Sequence, residues 1–356
     1  MIFRKSKPWV RAIVASGIVA TLASGAANAQ QDMDFSGEEL LAQTYGGTIA
    51  AYFRENFAKE FNEKFNANVI IQDALSVDTV AKLRTDGGVP HVDTFMVTAP
   101  WAVILEAEGL VEPLDAENVP SLSEIEPHAR PEGDSYVTWS SGGQAIVYNT
   151  KLLKKEDLPK KWSDLADPKY KGKLTLPPPS NAQSLILISR LATLDGGSVE
   201  NIDSAIETLK TIAPNVLTFW TSHDQDFSLL NAGESWLTVD SQDRTIDQVN
   251  KGASVAAYYP DEGTAFMSNT IGVAKGTEHK ELAEAWINFL LEKDQQTRIA
   301  NYVGYLPVRS DAEIDPKVAA HMPQGTALEN SVFPDWGVIS NKQADWIERY
   351  TKEVIR

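Results

Sequence analysis

Apolar positions near the start of the chain alternate between the spacing of strands and the spacing of helices. Leu40–Thr44 predicts a short strand, and the apolar, β-branched run Asn68–Gln72 is typical of a buried strand. Between them, four phenylalanines recur at four-residue spacing from Phe53 to Phe65, which places them on one face of a helix. This alternation predicts an α/β fold with a mostly parallel sheet and helices on both of its faces.

The next repeat of the pattern brings polar residues to the end of a strand. His91–Val97 is expected to form the next strand, and Thr98 to cap the helix that follows it. Ligands of open α/β sheets bind beyond the carboxyl ends of the strands. We therefore expect Tyr45, Gly46 and the segment from Thr98 to Trp101 at the rim of a binding site.

The middle of the chain is expected to build a second lobe. Pro113–Asp134 is rich in Pro, Glu and Ser and predicts an irregular surface loop, and Trp139–Gly143 predicts the first crossing between lobes. Strand and helix patterns then follow at Gln144–Tyr148, Leu174–Leu176, Asn181–Leu194, Ile202–Ile212, Trp236–Val239 and Thr245–Asn250.

The last part of the chain is expected to return to the first lobe. The strand Val255–Tyr259 and the segment as far as Val273 predict the crossing back. Two amphipathic helices follow, Glu281–Leu291 and Gln343–Val354, and the second is expected to pack on the first lobe. Residues 30–142 and 268–356 are thus predicted to form lobe 1, and residues 143–267 lobe 2.

The N-terminus has the three parts of a secretory signal peptide. Four basic residues precede an apolar run from Ala12 to Leu22, and small residues ending in Ala27-Asn28-Ala29 follow. The apolar run is too short to span a bilayer, which needs ~20 apolar residues. We expect residues 1–29 to be cleaved after Ala29 and the remaining 327 of 356 residues to be exported to the periplasm.

Composition removes several classes of function. Loss of the signal segment, with four basic and no acidic residues, takes the formal net charge from −17 to −21. Such an acidic chain does not suit nucleic acid or anionic membranes. The sequence has no cysteine, which excludes disulfides and thiolate chemistry, and its five dispersed histidines show no metal-ligand spacing. We expect no cofactor and no metal.

Several motifs in order along the chain resemble the family of bacterial extracellular solute-binding proteins, and within it the spermidine/putrescine-binding branch. They are WSDLADPKYKGK at Trp162–Lys173, GLVEPLD at Gly109–Asp115, VYNT at Val147–Thr150, EAWINFLL at Glu284–Leu291 and VGYLPVR at Val303–Arg309. The resemblance implies a two-lobed type II periplasmic-binding fold with two hinge crossings. It also implies a monomer that captures a small molecule by hinge closure and delivers it to the permease of an ABC importer.

The same resemblance places several segments at the cleft between the lobes. The candidate ligand-binding residues on these segments are Tyr45, Gly46, Thr98, Trp101, Ser180, Asn181, Trp220, Thr221, Asp240, Ser241, Tyr259, Glu262, Met267, Asn269 and Arg309. A turn, a helix cap or a buried tryptophan is the structural alternative at several of them. Asp240, for example, either holds a ligand ammonium group or caps the next helix.

The sequence departs from the polyamine-binding pattern at two anchoring segments. Polyamine binders carry carboxylates where this chain has Pro178, Pro179 and Ala182, and an aromatic residue and an aspartate where it has Met267 and Asn269. An ammonium group buried without a partner carboxylate costs several kcal/mol.

The other candidate residues include acidic side chains, neutral hydrogen-bond donors and Arg309, whose guanidinium could bind a carboxylate or phosphonate. This mixture favours a ligand with both an amine and an acid, such as an opine, an amino-acid derivative or an aminophosphonate. Spermidine or putrescine is the alternative.

Two other activities remain as alternatives. A ferric-ion binder would use adjacent tyrosines, and Tyr258 and Tyr259 are adjacent, although successive strand residues point to opposite faces. A periplasmic hydrolase would need a nucleophile such as Ser140 or Ser141 with a base such as His223. The segment lacks the G-x-S-x-G spacing of a nucleophile elbow.

Overall fold

The structure is a computed structural model that describes residues 33–355. The predicted signal segment, residues 1–29, lies outside the described residues. Strands are numbered in chain order: β1 Glu39–Thr44, β2 Asn68–Asp73, β3 Thr94–Thr98, β4 Val111–Glu112, β5 Val137–Asn149, β6 Leu174–Leu176, β7 Val216–Phe219, β8 Leu237–Ser241, β9 Val255–Tyr258, β10 Phe266–Ala274 and β11 Leu306–Pro307.

The α-helices alternate with these strands over most of the chain. They are α1 Thr48–Tyr52, α2 Lys59–Phe65, α3 Ser76–Thr85, α4 Ala99–Ala107, α5 Ala182–Ala192, α6 Asp203–Ile212, α7 His223–Ala232, α8 Gln242–Asn250, α9 Lys280–Leu291, α10 Lys293–Val303, α11 Pro316–Ala319, α12 Thr326–Glu329 and α13 Trp336–Arg349. A π-helical stretch, Phe53–Ala58, joins α1 to α2, and a second one, Tyr350–Ile355, continues α13.

Two long buried strands connect two groups of parallel strands. In the first lobe β1 pairs in parallel with β2 and β3, and in the second lobe β6 pairs in parallel with β7 and β8. The crossing strands β5 and β10 run antiparallel to each other, and every residue of both is buried. The strand order is therefore β2-β1-β3-β10-β5-β8-β6-β7.

The first lobe forms around the helical phenylalanines. Phe53, Phe57, Phe61 and Phe65 are at most 1% exposed. The ring of Phe61 contacts that of Trp286 on α9 edge to face, with centroids 5.3 Å apart. Four-residue spacing thus produced the single apolar face that the sequence predicts.

The last helix packs on both lobes, which differs from the prediction that it packs on the first lobe. Ser340 on α13 donates to Pro100 O at the start of α4, at 3.2 Å. The hydroxyl of Tyr350 donates to Pro177 O at 3.2 Å, and Trp346 and Tyr350 are buried with the apolar side chains of α5 and α6. The apolar face of this C-terminal segment therefore packs against the second lobe, because Trp346 and Tyr350 are buried in the hydrophobic core there.

The predicted lobe boundaries fall inside the crossing strands. Gly142 pairs with Met267, and Gly143 pairs with Phe266. The division into residues 30–142 with 268–356 and residues 143–267 stays a prediction.

The predicted surface loop Pro113–Asp134 is more ordered than expected. It contains two short 3₁₀ turns, and its apolar side chains, among them Leu122, belong to the first lobe's core. Among residues 33–355, no helix has the length and apolar character needed to cross a membrane.

Candidate functional site

A cavity of about 560 Å³ lies where the two groups of parallel strands end. It is within the size range of small-molecule binding sites. Its walls come from segments that follow β2, β3, β6, β7 and β8, and from the crossing strands. The lining residues are Leu75, Ser76, Val77, Thr98, Trp101, Gly142, Ser180, Asn181, Ala182, Gln183, Ile186, His223, Ser241, Asp243, Arg244, Met267, Asn269 and Tyr305.

Five helices begin at this cavity. Leu75 is the N-cap of α3, Thr98 of α4, Asn181 of α5 and Ser241 of α8, while His223 is the first residue of α7. The backbone N–H groups of a first helical turn carry partial positive charge and lack partners within the helix. The cavity is therefore a favourable place for an anionic group.

One guanidinium and one carboxylate line the cavity side by side at the start of α8. Arg244 Nε lies 3.7 Å from Asp243 Oδ2, and the Arg244 side chain is 49% exposed, against 14% for Asp243. Burial raises the pKa of Asp243, and the charge of Arg244 opposes that rise. A ligand thus meets an accessible cation and a partly shielded anion in one place.

A buried carboxyl group lies under the second-lobe wall of the cavity. Asp226 on α7 is fully buried, and its two oxygens accept hydrogen bonds from the hydroxyls of Thr175 at 2.5 Å and Thr238 at 2.6 Å. Burial, followed by the charge of neighbouring Asp240, raises the pKa of Asp226 to about 8, against the lowering effect of the two hydroxyls. Asp226 is therefore protonated at neutral pH.

Asp240 connects this buried group to the cavity. Its side chain is fully buried and accepts from His223 Nδ1 at 2.8 Å and from the Ser241 backbone N–H at 2.6 Å. Burial lowers the pKa of His223, but the hydrogen bond and charge of Asp240 outweigh burial and raise it overall. The His223 side chain is 29% exposed and lies against the ring of Trp220, with centroids 5.0 Å apart.

Part of the lining is apolar. Leu75 and Val77 are 68% and 48% exposed, and the partly buried Trp101 lies beyond them on α4. Ile186 on α5 and Met267 on β10 are further apolar residues of the lining. The cavity therefore offers apolar contacts to a carbon skeleton as well as charged and polar groups to its substituents.

A model of one protein family matches residues 56–324, which is most of the chain; its description is bacterial extracellular solute-binding protein. The chain belongs to this family.

Two relatives of this solute-binding protein have names that state different ligands. A putative 2-aminoethylphosphonate-binding periplasmic protein of Salmonella typhimurium is 26% identical over 78% of this chain and 79% of its own. The spermidine/putrescine-binding periplasmic protein of Escherichia coli is 24% identical over 94% of this chain and 92% of its own.

Solved structures share the fold. A putative extracellular solute-binding protein from Bordetella parapertussis has a TM-score of 0.80 at 18% identity, covering 89% of this chain and 99% of its own. Iron-bound HitA from Pseudomonas aeruginosa has a TM-score of 0.71 at 18% identity, covering 87% and 98%. These likenesses show the two-lobed type II periplasmic-binding fold. The family match and the relatives, rather than the fold, make the protein a solute-binding component of ABC transport and not an enzyme.

The structure brings about half of the residues predicted from sequence into the cavity of the solute-binding protein. The ones that line it are Thr98, Trp101, Ser180, Asn181, Ser241, Met267 and Asn269. They come from both lobes and from the crossing strand β10. Asn269 is also held in place, because its Nδ2 donates to Ser140 Oγ at 3.1 Å.

Four other predicted residues lie outside the lining. Asp240 and Trp220 are fully buried beneath His223. The hydroxyl of Tyr45 is buried and has no hydrogen-bond partner among residues 33–355, and burial raises its pKa. Gly46 is exposed and turns toward Asp73, whose Oδ2 would lie 3.3 Å from a Cβ at this position.

Two predicted charged residues, Glu262 and Arg309, form their hydrogen bonds and ion pairs outside the cavity lining. Glu262 accepts a hydrogen bond from the Trp162 backbone N–H at 2.8 Å, which anchors the segment that carries the most specific sequence motif. Arg309 forms ion pairs with Glu124 and Asp311, and only 9% of its side chain is exposed. The guanidinium of Arg309 is therefore not presented to the cavity.

The predicted hydroxyl groups of Tyr259 and Thr221 are also engaged outside the cavity. Tyr259 Oη donates to His321 O at 3.1 Å and to Gln242 Oε1 at 3.3 Å. Thr221 is exposed and bonds through its N–H and hydroxyl to Gln225 Oε1. Tyr258, the other half of the adjacent tyrosine pair, packs against the core of the second lobe.

The most important residues that sequence reasoning missed are close to segments it did find. Asp243 and Arg244 follow Ser241 by two and three residues, and His223 follows Trp220 by three. The sequence signal that could have revealed them is the start of a helix at each of these segments. Residues in the first turn of such a helix lie at the same strand end as the residue that caps it. In the described part of the chain, no cluster of three or more His, Asp or Glu residues could hold a metal ion.

Proposed function

We propose that this solute-binding protein captures a small zwitterionic solute, one that carries an amine and an acidic group on a short carbon skeleton, by closing its two lobes. Opines, amino-acid derivatives and aminophosphonates belong to this class. The observation that carries the proposal is the adjacent Arg244 and Asp243 pair in the cavity, at the start of a helix. After export and signal cleavage, the protein would act in the periplasm as a monomer and deliver the solute to its permease.

The anionic end of the ligand suits Arg244. The guanidinium is half exposed, and its contact with Asp243 is longer than a hydrogen bond, so its donors remain accessible. Arginine binds carboxylate, phosphate and phosphonate oxygens with two parallel N–H donors. The helix N-termini around the cavity add partial positive charge.

The amine end suits Asp243. Its carboxylate lines the cavity, and burial raises the pKa of this group, so an added ammonium group would relieve a poorly solvated charge. A zwitterion that inserts beside the pair gives each protein charge an opposite partner. Asp243 and Arg244 sum to zero net charge, as the zwitterion does, and this balance supports the proposal.

Polyamines are the second candidate, supported by relatives named as spermidine/putrescine-binding proteins. A linear polyamine carries at least two ammonium groups and no anion. Among the cavity-lining residues in the described part of the chain, Asp243 is the one carboxylate, and Arg244 lies beside it. Repulsion from Arg244 and the lack of a second acid argue against a polyamine.

Ferric ion is a weaker candidate, supported by iron-bound HitA among the structures with this fold. Of the lining residues in the described part of the chain, only Tyr305 is a tyrosine. The adjacent Tyr258 and Tyr259 lie outside the lining.

A thermal-shift and calorimetric screen of the protein from Gln30 onward tests this proposal. The panel contains 2-aminoethylphosphonate, opines, amino acids, spermidine, putrescine and ferric citrate. A ligand at ~100 times its dissociation constant adds about 2.7 kcal/mol to the free energy of unfolding. We expect a zwitterionic hit; binding of spermidine or putrescine alone would overturn the proposal.

Two arginine variants provide a matched comparison. Arg244→Gln should weaken binding of the zwitterionic hit by about 10- to 100-fold, because a hydrogen bond to a charged group contributes ~1.5–3 kcal/mol. Arg309→Met removes a guanidinium that is outside the cavity and should leave the affinity within about twofold. Equal effects of the two substitutions would contradict the role given to Arg244.

A further inference from the structure

We propose that His223 is a second cation that contacts the ligand, and that the buried pair Asp240 and Asp226 maintains its charge, so that capture of the anionic end of the ligand depends on pH. The proposal rests on the proposed function, because it concerns the same cavity and the same end of the ligand. It adds a specificity-determining residue, His223, and two positioning residues, Asp240 and Asp226.

The first step is the orientation of the imidazole. His223 lines the cavity, and its Nδ1 lies 2.8 and 3.0 Å from the two oxygens of Asp240. An ionised carboxylate only accepts hydrogen bonds, so Nδ1 must carry the proton that it donates to Asp240. The other ring nitrogen, Nε2, is left for a ligand: it donates when the ring is charged and accepts when the ring is neutral.

The second step is the division of charge within the buried pair. The charge of Asp240 and a side-chain hydrogen bond with Asp240 are both among the interactions that raise the pKa of Asp226. Two such groups in a buried site do not ionise together at neutral pH. Asp226 retains the proton, because burial and the charge of Asp240 raise its pKa to about 8. Asp240 then keeps its negative charge and pairs with His223.

The third step is the balance of forces on His223. Burial, the positive charge of Arg244 and the N-terminal end of α7 all disfavour the imidazolium. Asp240, through its hydrogen bond and charge, and Asp243, through its charge, favour it and together prevail. Among the described residues that line the cavity, Tyr305 is the other titratable group, and burial raises its pKa well above its ordinary value.

The consequence is a pH-dependent cavity. Below the raised pKa of His223, the cavity has two cations, Arg244 and the imidazolium, and Nε2 donates to the anionic group of the ligand. As the pH rises through that pKa, the donor becomes an acceptor, which repels the same group. Binding and protonation are reciprocal, so a bound anion must also raise the pKa of His223.

Binding of 2-aminoethylphosphonate to the wild-type protein and to His223→Gln tests the proposal across pH 6 to pH 9. The phosphonate group itself titrates in this range, but it contributes equally to both proteins, so the ratio of their affinities isolates His223. We expect the wild-type protein to bind at least about tenfold more tightly at pH 6, and this advantage to fall toward one by pH 9. A ratio that does not change with pH would overturn the proposal.

A variant of Asp240 and a matched variant outside the buried pair separate positioning from simple structural support. Asp224→Asn removes an exposed carboxylate on the same helix as His223 and should leave the affinity and its pH profile close to wild type. Asp240→Asn removes the charge that holds the imidazolium and should reduce affinity at pH 6 to about that of His223→Gln at the same pH. Equal pH profiles for the two variants would contradict the assigned roles.

A ligand-free measurement keeps the proposal testable if Asp240→Asn fails to fold. NMR titration of protein with ¹³C-labelled histidine follows each ring, and the signal absent from His223→Gln identifies residue 223. We expect the pKa of His223 to lie above the ordinary value of histidine, and addition of 2-aminoethylphosphonate to raise it further. A pKa at or below the ordinary value would overturn the inference.

The outcomes also distinguish the two proposals. If 2-aminoethylphosphonate and the other zwitterions fail to bind the wild-type protein at pH 6, the proposed function fails, and the ligand-contacting role of His223 fails with it. If a zwitterion binds and the wild-type advantage is constant with pH, only the inference about His223 fails.

Discussion

Replacing Asp226 with asparagine should change how the stability of the protein depends on pH. The carboxyl group is buried between the hydroxyls of Thr175 and Thr238 and next to Asp240. Burial, and then the charge of Asp240, raises its pKa to about 8. An ordinary aspartate in the unfolded chain has a pKa of about 3.9.

The sign follows from the protons bound in each state. Between about pH 4 and pH 8, the folded protein keeps a proton on Asp226 that the unfolded chain has already released. Folding then takes up a proton, so the free energy of unfolding falls as pH rises, by about 1.4 kcal/mol per pH unit from this group. Asparagine does not titrate, so the free energy of unfolding of Asp226→Asn lacks this dependence on pH.

Urea unfolding of both proteins at pH 5, 6 and 7, followed by tryptophan fluorescence, measures the effect. The stability of Asp226→Asn relative to wild type should increase by about 1.4 kcal/mol per pH unit, or ~3 kcal/mol over the range, whatever its value at pH 5. Asp224→Asn, an exposed carboxylate two residues earlier on α7, controls for the change in net charge. A relative stability that is independent of pH would refute the protonated state of Asp226.

Three further substitutions test the packing, each by urea unfolding with ligand binding measured alongside. Arg309→Met should lower stability by about 1 kcal/mol through loss of its ion pairs with exposed partners, with unchanged ligand affinity; a large loss of affinity would place Arg309 at the ligand. Phe61→Ala should lower stability by ~3–5 kcal/mol, because the ring is fully buried against Trp286; a loss below about 1 kcal/mol would contradict that packing. Gly263→Ala should lower stability by at least ~1 kcal/mol, because φ is +80° and the new Cβ would lie 2.6 Å from the backbone of Asn330; a neutral result would show that this contact can relax.

Local elements were the part of the fold most readily predicted from sequence. The strands β1, β2 and β6 and the helix α9 lie within one or two residues of their predicted bounds. Their apolar residues repeat at the period of the element they form, and this period is a property of a few neighbouring residues. The predicted cap Thr98 is the N-cap of α4, and Asn181, predicted at the start of a helix, is the N-cap of α5. The helix predicted from Thr245 begins earlier, at Gln242, and its N-cap is Ser241 rather than Asp240.

Three-dimensional packing decided what these local patterns could not. The predicted helix Gln343–Val354 has an apolar stripe that would suit either lobe, and the structure shows that it contacts both. The segment Pro113–Asp134 looked like a loop because it lacks a regular period, but its scattered apolar residues enter the core. Contacts between residues far apart in sequence determined both outcomes.

By itself, the sequence determined the class of the protein: a two-lobed α/β solute-binding protein of the extracellular family. Which charges line the cavity was decided only in three dimensions. Arg309 is neutralised by Glu124 and Asp311, whereas Arg244 stands at the cavity beside Asp243. Sequence spacing shows that a cation is near the cleft, but its partners, drawn from distant segments, decide whether it remains available to bind a ligand.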